Sequence, residues 1–421
     1  MTTSRTRIGP LAGKPDRSPL LDVDALLDGH ATRIIVCCGS GGVGKTTTSA
    51  ALALRAAERG RKVVVLTIDP ARRLAQSMGI EALDNTPRPV PGVDPGSGGS
   101  LDAMMLDMKR TFDEVVESQA SPEKSAQILA NPFYIALSSS FAGTQEYMAM
   151  EKLGQLHKDA KRTGDWDLIV VDTPPSRSAL DFLDSPERLS SFLDGRFIRI
   201  LLAPAKGPTK LMTAGLGVVT NALTKILGAQ VLKDMSTFVS AIDTLFGGFR
   251  QRATKTFELL QEEGTAFLVI AAPEPDALRE ATYFVERLED EKMPLAGLVV
   301  NRANRSPLGS LTSEQAMVAS ERLADGPGGA ENLTAGLLRL AADRARIVTR
   351  EARLRQRFTA AHPRVPTVVV PALPTDVHDL DGLRLVGELL SPDTFASQPG
   401  SQPARDQAVA ASGSSADRTA W

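Results

Sequence analysis

The chain has almost no cysteine: two in 421 residues, Cys37 and Cys38, adjacent to one another. That excludes a disulfide framework, and with no C-x-x-C pair it excludes the common zinc knuckles. The natural compartment for such a chain is the cytosol. An excess of charge is missing too, since 48 Lys+Arg stand against 50 Asp+Glu for a formal charge of −2. There is no general basic field to gather nucleic acid, and no nucleic-acid partner is expected. Long hydrophobic runs are also absent. Met1 to Pro15 has basic residues but no apolar core of the kind a secretory signal needs. The longest suspicious stretch, Leu211 to Thr224, is about 14 residues where a bilayer requires roughly 20. What remains, 42% apolar and 23% charged residues, is the composition of a globular protein. The length suits two to four domains, or one large α/β unit with insertions.

Apolar runs and glycine stops set the order of elements. Arg33 to Cys38 predicts a buried strand, followed by a glycine-rich turn and a helix from Thr46 to Arg59, with Gly60 suited to its C′ position. Arg61 to Ile68 predicts a second buried strand, and Pro70 to Met78 a helix ending at Gly79. Thr86 to Ser100, rich in proline and glycine, breaks both periods and reads as a surface loop. Leu101 to Asp107 suits a short strand, Thr111 to Gly164 several helices, and Trp166 to Val171 a third buried strand. Strands then return at Ala266 to Ala272, Leu295 to Val300 and Thr367 to Val370, with helices at Pro275 to Glu291 and Leu380 to Leu390. Such alternation predicts an α/β fold with a doubly wound, mostly parallel sheet. Gly326 to Asn332 separates two polar helices, and the arginines of Leu333 to Phe358 read as a solvated face. We divide the chain into a flexible segment at 1–30, a core at 31–184 and 261–392, a helical insertion at 185–260 and a disordered tail at 393–421.

The chemistry concentrates where the first strand ends. Gly39-Ser-Gly-Gly-Val-Gly44-Lys45-Thr46 matches G-x-x-x-x-G-K-[ST] between a strand and a helix, the context the motif requires. Its glycines, with Ser40, Gly41, Gly42 and Val43, let backbone N–H groups converge on phosphate oxygens, and the helix N-terminus adds partial positive charge. Lys45 is placed to reach the β- and γ-phosphates and Thr46 to ligate Mg²⁺. The strand ending in Asp172 supplies the carboxylate for the metal shell. Asp69, at the end of the second strand, should point into the same crevice and orient a water; alternatively it caps the helix that starts at Pro70.

Gly39 to Thr47, Asp69-Pro70-Ala71 and Asp172-Thr173-Pro174-Pro175 together resemble the ArsA family of P-loop ATPases, of the deviant Walker A class. That family includes the arsenite-pump ATPase and the ATPase that targets tail-anchored membrane proteins. The resemblance covers roughly residues 30 to 390 and is greatest to the actinobacterial branch of anion-transporting ATPases. It implies ATP and Mg²⁺ as ligands and a dimer that buries ATP at its interface. It further implies Asp69 in water activation, Glu274 contacting nucleotide across the dimer, Asn301 reading adenine and an adenine loop at Pro371 to Val377 that includes Pro374 and Asp376. Asn301 is equally suited to a strand-end turn.

Three departures from the family pattern narrow what carries over. The family's loop usually begins Gly-Lys-Gly-Gly, its extra lysine reaching phosphates of the opposite subunit, and here that position is Ser40. A hydroxyl cannot neutralise transition-state charge, so slow turnover of a homodimer is expected unless Arg72, Arg73 or Arg177 substitutes, or a partner paralogue brings the lysine. Second, Cys37 and Cys38 face opposite sides of a strand and cannot chelate one ion. Third, the interfacial zinc of the targeting enzymes needs a C-x-x-C pair, and none exists. Leu211, Met212, Leu216, Val218, Val219, Leu223, Ile226 and Leu227 in the insertion suit either an apolar client groove or an ordinary subdomain core. The leading reading is a dimeric ATP-hydrolysing switch, homodimer or heterodimer, peripheral to a membrane only through a partner. Beside it stand a nucleotide-binding scaffold with little hydrolysis and a partition-type ATPase, for which the tail offers neither a basic nor an amphipathic segment.

Overall fold

Strands buried on both faces must be apolar throughout, and the apolar runs of this sequence occupy such positions. The computed structural model describes residues 18–68, 73–132, 134–135, 138, 144–174, 251–309, 311–324 and 329–391. Its strands are β1 (Ile34–Cys38), β2 (Lys62–Thr67), β3 (Arg88–Pro89), β4 (Ser100–Met105), β5 (Leu168–Asp172), β6 (Thr265–Ala271), β7 (Leu295–Ala303) and β8 (Thr367–Pro371). They form one sheet in the order β3-β4-β2-β5-β1-β6-β7-β8. Every pairing is parallel except that of β3 with β4. The expected α/β fold with a mostly parallel sheet is therefore present.

Alternation along β1 shows how the two layers are held. Ile34, Val36 and Cys38 pack with Val115 of helix Met108–Gln119, Leu153 of helix Thr144–Thr163 and Phe284 of helix Pro275–Asp290. Ile35 and Cys37 pack on the other side with Leu52 of helix Lys45–Glu58 and Leu389 of helix Leu380–Leu390. Each leucine so buried contributes about 1.5–3 kcal/mol, so the two layers fix the strands from both faces. The two cysteines thus lie in opposite cores, as their adjacency on a strand requires. From β1 the chain builds outward to β5, β2 and β4 on one side and to β6, β7 and β8 on the other. That reversal opens a crevice at the carboxyl ends of the central strands.

Four expectations are modified by what the described residues show. Thr86 to Ser100 is not wholly loop: Arg88–Pro89 adds a short antiparallel edge strand to β4, and an edge is where proline is tolerated in a sheet. The last long helix begins at Gly329, inside the predicted Gly326 to Asn332 break, and runs to Ala361. That helix exposes Leu333, Leu337, Leu340 and Ile347 as well as most of its arginines, Arg355 being half-buried. Within the segment read as flexible, residues 23–28 form a helix capped by Asp22 with Val23 and Leu27 fully buried. The insertion at 185–260 lies outside the described residues except for its end, which is helical at 251–261. There Arg252 pairs with Glu151 at 2.9 Å. The tail at 393–421 and the apolar set Leu211 to Leu227 also lie outside. Among the described residues no helix is long and apolar enough to cross a membrane.

Candidate functional site

β1 delivers the chain into the loop under tight backbone constraint. Gly39 has φ +152°, and a Cβ there would lie 2.1 Å from the Ile270 carbonyl oxygen of β6. Only glycine lets β6 close against the start of the loop. Gly44, with φ +91°, is the N-cap of helix Lys45–Glu58, and its Cβ would lie 2.3 Å from Asn301 Nδ2. The sequence motif is thus read twice, for the left-handed turn and for the close approach of β7.

Charge is gathered inside this turn. Lys45 is buried at 5% exposure, and its Nζ donates to the carbonyl oxygens of Gly39 (3.0 Å) and Ser40 (2.8 Å). The ammonium is held inside the curve of its own loop, where the phosphate of a nucleotide would lie. Ser40 is itself buried. Asp172, fully buried at the end of β5, accepts at one oxygen, Oδ2, from the hydroxyls of Thr46 (2.8 Å) and Thr67 (2.9 Å). Register explains this convergence, because Asp172 stands beside Cys37 of β1 and Thr67 of β2. Thr173 then fastens the strand end by donating its hydroxyl to the Cys37 carbonyl at 2.8 Å. Thr47 is half-buried in the first turn of the helix.

A carboxylate and a threonine hydroxyl brought to 2.8 Å are hard oxygen donors, and they fit Mg²⁺, which keeps waters and substrate phosphates as its other ligands. Among the described residues no three His, Cys, Asp or Glu side chains cluster into a cage that would hold an ion by themselves. The two thiols are not part of this site. Burial pushes Cys37 up to about 12 and raises Cys38 as well.

On the other flank, β7 runs three residues further than the apolar pattern suggested, and its pairing with β8 breaks register between Val300 and Ala303. Asn301, buried, uses the break to donate Nδ2 to the Val43 carbonyl at 2.9 Å, while its Oδ1 accepts from the Arg302 amide. Arg302 takes φ +59° and donates Nη1 to the Gly42 carbonyl at 2.8 Å. Two residues of one strand therefore hold two consecutive carbonyls of the loop.

The remaining expected residues lie at the same sheet edge, farther along their loops. Glu274, exposed, is the N-cap residue of helix Pro275–Asp290, directly after β6, and makes no side-chain capping bond. Pro374 and Asp376 are exposed in the loop after β8, which is tied to β7 by the Ala372 amide on the Ala303 carbonyl at 2.9 Å. Asp69, Arg72 and Arg177 lie outside the described residues, and of Arg73 only its place at the start of a short helix is described. The described chain here ends at Ile68, whose amide donates to the Asp172 carbonyl at 2.9 Å. Sequence reasoning missed Thr67, and although Val300-Asn301-Arg302 resembles a nucleotide-contacting segment of the family, the contact of Arg302 with the loop was not foreseen. A polar residue closing an apolar strand was the available signal for Thr67, whereas nothing in the sequence announces the left-handed turn at Arg302.

Comparison with known proteins gives one family and a set of distant relatives. A family model described as anion-transporting ATPase, ArsA_ATPase, matches residues 32–307. An ATPase GET3 from Malassezia globosa is 27% identical over 294 residues, 68% of this chain and 77% of that protein. An ATPase GET3B from Arabidopsis thaliana is 25% identical over 67% of this chain and 66% of its own length. An arsenical pump-driving ATPase from Acidiphilium multivorum is 32% identical over 158 residues, 37% of this chain and 26% of that protein.

Proposed function

The chain belongs to the ArsA family of anion-transporting ATPases and is an ATP-binding ATPase, and we propose that it works as a Mg²⁺-dependent dimeric switch of the family's actinobacterial branch. The observation that carries this reading is the joint geometry of Lys45, Thr46 and Asp172. A buried cation curls inside the phosphate loop while a hydroxyl and a carboxylate meet at the metal position. Mg²⁺, when bound with the nucleotide, would neutralise charge on the β- and γ-phosphates from Thr46 and Asp172. Lys45 exchanges the Gly39 and Ser40 carbonyls for phosphate oxygens. Asp69 orients the water and takes its proton as the new oxygen–phosphorus bond forms and the bond to the ADP oxygen breaks. Glu274, Asn301, Pro374 and Asp376 complete the nucleotide pocket. Loss of the γ-phosphate then releases the segments it had ordered.

Ser40 supports pairing with a paralogue that carries the signature lysine, because the hydroxyl brings no charge to the partner's phosphates. The switch couples hydrolysis to transport, targeting or chaperoning of a client that the sequence does not name; the apolar residues of 185–260 suit a hydrophobic client as well as a subdomain core, and the enzyme is read as cytosolic, meeting a membrane through a partner. Mg-ATP turnover of the purified chain, alone and mixed with such a paralogue, with Lys45→Ala as blank, tests the reading. We expect weak turnover alone and a rise of orders of magnitude in the mixture. A chain that reaches full rate alone overturns the heterodimer, and one that binds ATP but turns over in neither setting is a scaffold.

A further inference from the structure

We propose that Arg302 is a positioning residue that aims and polarises the phosphate-binding amides of the loop from behind. The inference rests on the ATPase reading above and deepens it. In a planar peptide the carbonyl and the N–H of one unit point in opposite directions. The Gly42 carbonyl belongs to the same unit as the Val43 amide, and the Val43 carbonyl to the same unit as the Gly44 amide. Arg302 donates to the first carbonyl at 2.8 Å and Asn301 to the second at 2.9 Å. Holding both carbonyls outward turns both amides inward, toward the turn that Lys45 closes from the other side.

The backbone is built for this contact. Arg302 is one of two non-glycine residues with positive φ among those described, at +59°, a conformation that costs an ordinary residue free energy and persists where its surroundings enforce it. It falls in the register break between β7 and β8, the kind of irregularity that redirects a side chain beside a site. The Asn301 carbonyl oxygen Oδ1 holds the Arg302 amide at 2.9 Å, so the two side chains are fixed as a pair. A guanidinium on a carbonyl is a charge-assisted bond, and it strengthens the donor at the far end of the same peptide. Positive charge thus reaches the phosphate through the peptide, in a loop where Ser40 brings none. Because the guanidinium stands on the carbonyl side of the loop, Arg302 acts on phosphate through Val43 and not by contact.

Affinities of the full-length protein for Mg-ATP and for inorganic tripolyphosphate, measured by calorimetry for wild type, Arg302→Gln and Arg302→Lys, test the proposal. We expect Arg302→Gln to weaken both ligands by a similar factor of about ten, Arg302→Lys to recover most of the loss, and the melting temperature of the nucleotide-free protein to stay within about 2 °C. Loss confined to ATP would assign Arg302 to the base, and loss with a lowered melting temperature and no rescue by lysine would assign it to the fold. Either overturns the proposal, as does no loss at all. A wild-type protein that binds neither ligand overturns the ATPase reading itself, which separates the two failures.

Discussion

β2 and β5 are each preceded by a charged residue and each end in a polar or charged one, and the two ends of this strand pair use them differently. At the foot, Arg61 and Asp167 meet; at the head, Thr67 and Asp172. Arg61 is 2% exposed, and its five N–H groups are matched by five acceptors: the Asp167 carboxylate and the carbonyls of Leu27, Gly29, Thr32 and Asp167. Its countercharge is built into the fold. At the head, Asp172 collects two hydroxyls, and the neighbouring Lys45 leans on carbonyls of its own loop. On the proposed reading Lys45 trades those carbonyls for phosphate oxygens and Thr46 trades its bond for the metal, an exchange that needs no refolding. Burial of charge alone does not mark a site; charge buried among exchangeable partners does.

Asp172→Asn breaks the comparison most directly if the head is a structural centre like the foot. The amide still accepts the two hydroxyl bonds but removes the negative charge that the metal needs. We expect turnover to fall by about a hundredfold or more and to lose its normal Mg²⁺ dependence, with the melting temperature unchanged or raised because a buried charge is gone. A large fall in melting temperature with turnover preserved would make the two ends alike.

Arg61→Met is the opposite test at the foot. It leaves four carbonyls and one half-exposed carboxylate without the guanidinium, and buried acceptors left without a donor cost about 1–3 kcal/mol each at most. The expected readout is an earlier denaturant midpoint with unchanged ATP affinity in the folded fraction. Weakened ATP binding without loss of stability would show that the foot communicates with the site.

These two centres were unequally legible in the sequence. Lys45 and Thr46 stand in a motif whose spacing follows from the geometry of a strand, a loop and a helix, Asp172 closes a strongly apolar strand, and the structure brings the three to one place. Arg61 heads an apolar run and was read only as the start of a strand, because its five acceptors come from residues 27–32 and 167, distant in sequence. The left-handed turn at Arg302, within a segment that resembles the family's, was hidden for another reason. A bulge of two residues leaves the apolar pattern of β7 intact, and φ +59° at an arginine has no compositional sign. The edge strand at Arg88–Pro89 was hidden because proline and glycine suppress the strand pattern, although its partner β4 was visible.

The two thiols of β1 sharpen the boundary between head and core, with the smallest expected effect. Cys37 pairs in register with Asp172 itself, so it lies one residue's breadth from the site, yet it is fully buried and its thiol is pushed up to about 12. The cause is burial, which disfavours the thiolate. A reagent that attacks thiolate should therefore leave both cysteines untouched at pH 8 for hours, with or without Mg-ATP, and modify two thiols per chain once the protein is unfolded in guanidinium. Slow labelling that ATP suppresses would mean that the crevice opens down to β1 between turnovers, and the exchangeable region would then include the strand as well as the loop. Labelling indifferent to ATP would instead place the opening in the core, on the same footing as the Arg61 end.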